Sequence, residues 1–295
     1  MRTLLLPFVL LTLSGFCLGQ AKKSDRETAG LLGPVRTVGG TSVDYTGEIK
    51  GIGFMKKGED LVTYDANGFE IERRPISDFG EAMGRMTRTV DSDGRITASA
   101  WFDPKGSLVS RDAHIYENGK PTEQRTYDGK DNLVETTQRS YDSFGRLIRE
   151  TYLEQGKPVA RTEFKNTGQS VEASFFMADG SKAVAPAGPC LGAHRVVTVH
   201  DGEGRVTSQS FFEPDGKLKR SAKYTYNAEG RVVEYVGGTA HSTTTATYKY
   251  ENDAKGNWIK RVQTASNIEN GLTVFGYKPE PYVRITVTTR EITYF

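Results

Sequence analysis

Tyr141-Asp142-Ser143-Phe144-Gly145-Arg146-Leu147 decides how the rest of the chain is read. An aspartate with a glycine three residues later signals a type I turn. Its carboxylate accepts hydrogen bonds from the turn backbone, and the glycine takes the left-handed conformation that closes it. A G1-type bulge at the glycine then hands the chain to an antiparallel strand. That strand opens here with a basic residue and an apolar one, Arg146 and Leu147, on opposite faces.

The frame recurs along the chain. Nine glycines carry an aromatic residue four positions back: Phe54…Gly58, Tyr64…Gly68, Phe102…Gly106, Tyr141…Gly145, Tyr152…Gly156, Phe164…Gly168, Phe176…Gly180, Phe212…Gly216 and Tyr226…Gly230. With 32 glycines and 10% aromatics, chance gives about three. Val90…Gly94, His200…Gly204 and Asn252…Gly256 keep the frame without the aromatic. The intervals are 12 residues from Gly94 to Gly106, 11 from Gly145 to Gly156 and 12 each to Gly168 and Gly180. Gaps of 24 to Gly204 and 26 from Gly230 to Gly256 are twice that period. A period of 12 to 13 residues is one strand plus one turn.

Between turns the side chains alternate, as at Leu218, Ala222, Tyr224 and Tyr226, all of one parity. The fold class is therefore all-β, a long antiparallel meander of β-hairpin repeats. Roughly 260 residues after Gly33 hold on the order of twenty strands, and open sheets rarely exceed about ten without curling. A strongly curled sheet or partial shell is expected, about 26 Å wide for strands of about eight residues. Its first and last strands, the last over residues 286–295, would be open edges. Helix is confined to a short turn within residues 24–32, the first strand opens at Val35, and longer loops are expected at 78–84, 184–192 and 236–243. Gly145 needs positive φ, whereas Gly129 sits at a mid-turn position expected to accept a side chain more readily.

At the other end of the chain, Met1 and Arg2 precede an apolar run from Leu4 to Phe16. That run is short of the roughly 20 residues a spanning helix needs and has the form of a secretory leader. Cleavage after Gly19 gives residues 1–19 as signal peptide, 20–33 as an N-terminal linker and 34–295 as a single β-repeat domain. The competing address is an outer-membrane lipoprotein acylated on Cys17, for which Phe16 is a poor preceding residue. The destination is periplasmic or extracellular, with no transmembrane segment expected after leader removal. Cys190 is then the only thiol, which excludes an internal disulfide.

Composition narrows the function classes. Thirty-nine basic against 37 acidic residues leave +2, near +1 once Arg2 departs, and no block of five or six like charges occurs. Nucleic-acid binding, which wants a clustered basic stripe, is not expected. A hydrophobic share of 36% implies a thin core in a chain of 295 residues.

The Tyr-Asp-x-x-Gly-Arg-Leu run at residues 141–147, with Gly204-Arg205-Val206 and Gly230-Arg231-Val232, resembles the YD repeats of RHS-repeat proteins. The resemblance covers about residues 54–260, with Gly256-Asn257-Trp258 as a closing repeat. It implies an extracytoplasmic β-sheet repeat, in larger relatives a hollow shell enclosing a toxin. This chain is too short for such a shell, and no toxin or self-cleavage module follows the repeats. It looks instead like the small exported YD-repeat proteins of bacteria, with a hint of carbohydrate or envelope binding.

Candidate chemistry is sparse. Cys190 with His194 and His200 spells a thiol nucleophile with its base, or three zinc ligands, but an inter-repeat loop explains them as well. Asp91-Ser92-Asp93-Gly94 and Asp128-Gly129-Lys130-Asp131 resemble fragments of calcium loops that lack the remaining ligands and read as turns. Glu48, Glu59, Asp60, Glu150 and Glu234 supply carboxylates with no sign that two converge. Aromatics of one parity are expected to fill the concave face. Those of the other, such as Trp101 beside an inward Phe102, would offer an exposed stacking ladder for sugars or a partner. The expectation is a non-enzymatic binding or structural module for an envelope glycan or protein partner, without catalytic, cofactor or metal residues. A toxin-associated or immunity accessory of an RHS-type system and an envelope hydrolase are the alternatives.

Overall fold

The computed structural model describes residues 23–46, 55–77, 81–185, 190–269 and 282–295. The expected signal peptide with Cys17 lies outside them. After a single short helix, α1 (Asp25–Thr28), come β1 (Val35–Thr46), β2 (Met55–Tyr64), β3 (Glu70–Arg74), β4 (Arg85–Val90), β5 (Ile96–Phe102) and β6 (Leu108–Glu117). Next are β7 (Lys120–Asp128), β8 (Leu133–Tyr141), β9 (Leu147–Glu154), β10 (Lys157–Thr167), β11 (Ser170–Met177) and β12 (Arg195–His200). The last are β13 (Val206–Phe212), β14 (Leu218–Tyr226), β15 (Val232–Gly238), β16 (Ser242–Asn252), β17 (Trp258–Glu269) and β18 (Tyr282–Tyr294).

Every strand pairs antiparallel with the next, as expected of a meander. The expected open sheet or partial shell is corrected by one pairing: β18 runs antiparallel to β1 from Val35 opposite Tyr294 to Thr46 opposite Arg284. Eighteen strands thus close into a barrel. Accumulated curl brings the two edges together, and their unpaired N–H and C=O groups satisfy one another. The terminal strand therefore offers no free edge.

Successive turns alternate between two rims. One rim holds the turns at 65–68, 91–94, 142–145, 201–204, 227–230 and 253–256, together with both ends of the domain, where Phe295 N–H donates to Pro34 O. The opposite rim holds the turns at 103–106 and 213–216 and the longer connections 75–84 and 178–194. The third expected long loop is instead a tight connection, since β15 runs to Gly238 and Thr239 N–H donates to Ser242 O. Extended β propensity in Val236 and the threonines after Ser242 carries both strands further than the interrupted period suggested.

The turns share one geometry. Asp142 Oδ1 accepts from the N–H groups of Phe144 and Arg146, while the Arg146 Nε donates to Oδ2 at 2.7 Å. Asp91 with Arg95 and Asp201 with Arg205 repeat these bonds. These backbone and guanidinium donors hold the Asp91 and Asp142 carboxyls below the usual range. Four tyrosines near strand ends at this rim reach sideways to the strand before. Tyr116 donates to Ile96 O, Tyr141 to Pro121 O, Tyr226 to Val206 O and Tyr250 to Val232 O, at 2.7 to 3.0 Å. Arg95, Lys120, Arg205 and Arg231 cover the respective rings.

Burial alternates with period two, most plainly in β12, where Val196, Thr198 and His200 are buried and the residues between them are not. The registers carry that parity round the ring, to Thr162 on β10, Thr137 on β8 and Thr288 on β18. No strands other than hydrogen-bonded neighbours make more than marginal contact, so the inward face surrounds a lumen. The thin core expected from composition resolves into two patches. Leu31, Val35, Val38, Val62 and Tyr64 pack beside the closing seam, and Ala193, Val196 and Phe211 pack together with Phe175 and Cys190 against them. The expected facing at β5 is reversed: Trp101 pairs with Ser110 on the inward parity, and Phe102, beyond a bulge, lies outside beneath Arg85.

Gly129 also departs from expectation, because a Cβ there would stand 2.3 Å from Leu108 O, in the neighbouring backbone. At Gly145, φ is +82° and a Cβ would meet only the end of the Lys120 side chain, at 2.5 Å. Gly129→Ala is expected to lower the melting temperature at least as much as Gly145→Ala, which thermal unfolding of the two variants measures. Tyr141→Phe strands the Pro121 carbonyl and should cost about 1 kcal/mol. Phe144→Ala, at a ring 71% exposed, should cost far less in the same measurement.

Candidate functional site

The lumen wall is two different surfaces. On the side built by β2 to β9 its charges are paired. Arg139 donates to Glu150 at 2.9 Å, with side chains only 13% and 6% exposed, and the Tyr152 hydroxyl donates to the other Glu150 oxygen at 3.1 Å. Arg73 bonds Glu70 at 2.6 Å and Asp60 at 3.3 Å, and Arg88 reaches Glu70 at 3.3 Å. Glu135 is raised to about 7, first by burial and further by Glu154, its register partner on β9, against a weak bond from Thr137. His114, on the same inward face, is lowered by burial.

On the side built by β13 to β18 the wall is aromatic, and two of its arginines, Arg220 and Arg261, stand without carboxylates, while Arg284 on β18 pairs with Asp44. A cavity of about 340 Å³ lies between residues 28–30 and the inward side chains Tyr248, Tyr250, Trp258 and Arg261. A second of about 220 Å³ is lined by Phe211, Arg220 and Tyr235. Tyr224 lines both, and the two cavities adjoining at its ring make up the cleft. The Arg220 guanidinium lies 4.1 Å from the Phe211 ring, and its Nε and Nη2 are buried without a hydrogen-bond partner. Arg261 stacks on Trp258 at 5.3 Å, donates to Thr288 Oγ1 at 3.3 Å and leaves its Nε buried and unpartnered. Arg290 covers Trp258 at 3.5 Å. Burial, then the Arg261 charge, lowers Arg290 to about 10.

The segment before β1 covers this end of the lumen. Ser24 and Glu27 form a capping box on α1, Arg26 N–H donates to Gly68 O, and Asp25 accepts from Glu70 N–H. Asn257, fully buried, bonds both the N–H and the carbonyl of Leu32 and donates to the Tyr294 hydroxyl. The closing repeat read in the sequence thus clamps the N-terminal segment over the cleft.

The catalytic and metal candidates singled out from sequence do not line it, although Cys190 packs on Phe211, which does. Cys190 packs on the cluster of Ala193, Val196 and Phe211, and burial raises its thiol, which opposes a thiolate nucleophile. His194 Nδ1 is bonded to Ala183 O at 2.8 Å and its ring meets Phe176 edge-on. His200 is buried on the inward face with Nε2 unpartnered. Among the described residues no three His, Cys, Asp or Glu side chains group at metal-binding distance. In the calcium-like runs Asp91 is engaged by Arg95, and Asp131 by Arg111. Glu48 lies outside the described residues. Glu59 accepts from Ser42 inside the lumen, Asp60 and Glu150 are ion-paired there, and Glu234 accepts from Thr225 on the outer face. The anticipated outward ladder is occupied by the protein itself. Phe102, Tyr127, Phe176 and Phe212 each carry an arginine, from Arg85, Arg111, Arg161 and Arg195. Arg220 and Arg261 were not singled out, although Arg220 shares the parity of Ala222 and Tyr224, which marks it as inward.

No family model and no curated protein matches the chain. Among solved structures, a porin-like protein of Bacteroides uniformis is 11% identical over 88% of this chain and 98% of its own, with a TM-score of 0.42. A porin-like protein of Bacteroides vulgatus is 11% identical over 86% and 98%, with a TM-score of 0.34. The Tc holotoxin pore of Photorhabdus luminescens is 9% identical over 77% of this chain but only 17% of its own, with a TM-score of 0.27. The barrel is defined by the chain's own strand pairing and not by these likenesses.

The Glu135 carboxyl has a direct consequence for stability. Its folded value of about 7 exceeds the ordinary 4.5, so the folded chain holds this proton more tightly than the unfolded chain does. Stability falls as pH rises from about 4.5 to about 7, where the buried group must ionise. Glu135→Gln is expected to raise the melting temperature at pH 8 and leave it unchanged at pH 4.5, as thermal melts at both values test.

Proposed function

We propose that this chain is an exported, non-enzymatic binding module that takes its ligand into the barrel lumen, at the aromatic cleft beside β13 to β18. The observation that carries the reading is the contrast between the two faces. Outer aromatics are each stacked with an arginine on the barrel surface, whereas Tyr224, Tyr248, Tyr250 and Trp258, with Arg231, Arg261 and Arg290 against three of the rings, converge on a cavity of about 340 Å³, a volume typical of small-ligand sites. The envelope is the compartment this reading favours, on the leader-like run and the glycan hint of the YD resemblance. The shared Asp-turn geometry at Asp91, Asp142 and Asp201 supports placing the chain in the YD-repeat class.

The barrel is proposed to stand in water. A membrane-spanning barrel presents an apolar outer band about 25 Å tall. Here the outward parity carries Arg125, Arg149, Glu163, Lys165, Glu172, Arg195, Lys223, Lys249 and Lys260. Purified residues 20–295 are expected to remain monodisperse without detergent and not to float with liposomes. Flotation would assign the barrel to the membrane.

Binding is tested by capture of fractionated envelope on the same protein, with bound sugars and proteins identified by mass spectrometry. A retained glycan or peptide that Trp258→Ala releases supports the luminal reading. Retention that Trp258→Ala leaves intact overturns it.

A further inference from the structure

Resting on that luminal reading, we infer that the cleft formed by Arg220, Tyr224, Tyr248, Tyr250, Trp258 and Arg261 takes an acidic saccharide, a sugar ring bearing a carboxylate or phosphate. The inference starts from an asymmetry in the lumen. Inward arginines Arg73, Arg88 and Arg139 on β3, β4 and β8 each hold a carboxylate within 3.3 Å. Arg220 and Arg261, on β14 and β17, hold none among the described residues and rest on aromatic rings. Three of their nitrogens, Arg220 Nε and Nη2 and Arg261 Nε, are buried and donate to nothing.

A buried donor without an acceptor costs free energy, and a guanidinium is built to recover it from a planar or tetrahedral oxyanion through two parallel bonds. Arg290 adds positive charge behind Trp258, 3.5 Å from its ring. Glu229, the one acidic residue lining the larger cavity, is in the exposed turn at 227–230 and not against Arg261. The anion-seeking groups are set among rings, which offer flat apolar faces to the C–H side of a sugar. Gln209, Thr244 and Thr239 line the adjoining cavity and supply neutral partners for hydroxyls. An inorganic anion would use the arginines but make no use of the cavity that Tyr224, Tyr248, Tyr250 and Trp258 line, whereas a neutral sugar would leave the guanidinium donors unmet.

The test is calorimetric titration of the barrel with glucuronic acid, glucose 6-phosphate, glucose and inorganic phosphate. One or both acidic sugars should bind at least about tenfold more tightly than glucose and than phosphate, equivalent to roughly 1.4 kcal/mol. Comparison of the two acids identifies which anionic group the site prefers. Arg220→Gln and Arg261→Gln should each lose about tenfold in affinity for the preferred acid, while Arg125→Gln, on the outer face, should lose none. Because neither luminal guanidinium has a counterion to strand, both variants are expected to melt no lower than the parent. Arg261→Lys, which keeps the charge and loses the fork, should fall between parent and Gln variant.

Glucose bound as tightly as the acids, with the arginine variants unaffected, would overturn the acidic specificity and leave luminal binding standing. Phosphate bound as tightly as the sugar phosphate would overturn the saccharide. If no sugar binds and Trp258→Ala also leaves envelope capture intact, both the inference and the reading beneath it fail.

Discussion

The structure depends on the pairing of β1 with β18. A meander of antiparallel hairpins has no layer behind it to bury its inner face, and here strands make significant contact only with their hydrogen-bonded neighbours. With the seam open, the two strands would offer unpaired backbone along their whole lengths, and the curvature that shelters Thr137, Thr162, Thr198 and Thr288 would be unconstrained. Closure converts a sheet with almost no core into a shell whose inner face is buried by its own concavity. The apolar cluster of Leu31, Val35, Val38, Val62 and Tyr64 lies at this seam, where opening would begin.

A second set of contacts fixes the ring locally. At the terminal rim, each aspartate turn joins one hairpin to the next, and Tyr116, Tyr141, Tyr226 and Tyr250 bond back to a carbonyl of the preceding strand. The arginine or lysine over the ring links the two devices, since Arg95 and Arg205 are held by their turn aspartates while covering Tyr116 and Tyr226. The opposite rim repeats the stacking on the outer surface, as at Phe102 with Arg85 and Phe212 with Arg195. These pairings account for the aromatic residues four before Gly106, Gly145, Gly180, Gly216 and Gly230. They also explain why the outer aromatics do not form a free ladder.

Much of this was legible in the sequence because it is local. The Asp-x-x-Gly frame, the period and the strand parity at Ala222 and Tyr224 each depend on a few consecutive residues. Closure was not legible, because it pairs Val35 with Tyr294 across nearly the whole chain, and the sum of many small twists sets whether those edges meet. Trp101 and Phe102 were misplaced for a smaller reason: alternation along β5 holds, but alternation alone does not say which parity faces inward. That is set by the register from Trp101 through Ser110 to the buried residues of neighbouring strands. Gly129 was misjudged because its constraint is the approach of Leu108 O, which no turn rule contains. The cleft was hidden for the same reason as closure. Arg220 and Arg261 are unremarkable in sequence and become distinctive only when the ring shows which inward arginines have carboxylates beside them.

That distribution of pairing divides the lumen wall into a part that neutralises its own charges and a part with unpartnered guanidinium donors. Where the wall serves only itself, charges are neutralised: Glu150 is bonded by Arg139 and Tyr152, and Glu70 by Arg73 and Arg88. A chain with 37 acidic residues has ample means to neutralise two more arginines, and a leucine or glutamine at either position would remove the cost of burying the donors. Stacking on Phe211 and Trp258 offsets part of that cost but satisfies no N–H group. Buried cations retained without partners are therefore expensive to the fold wherever they stand. Their placement beside the cavities, under an N-terminal segment clamped by Asn257, is accounted for when the missing partner is a ligand.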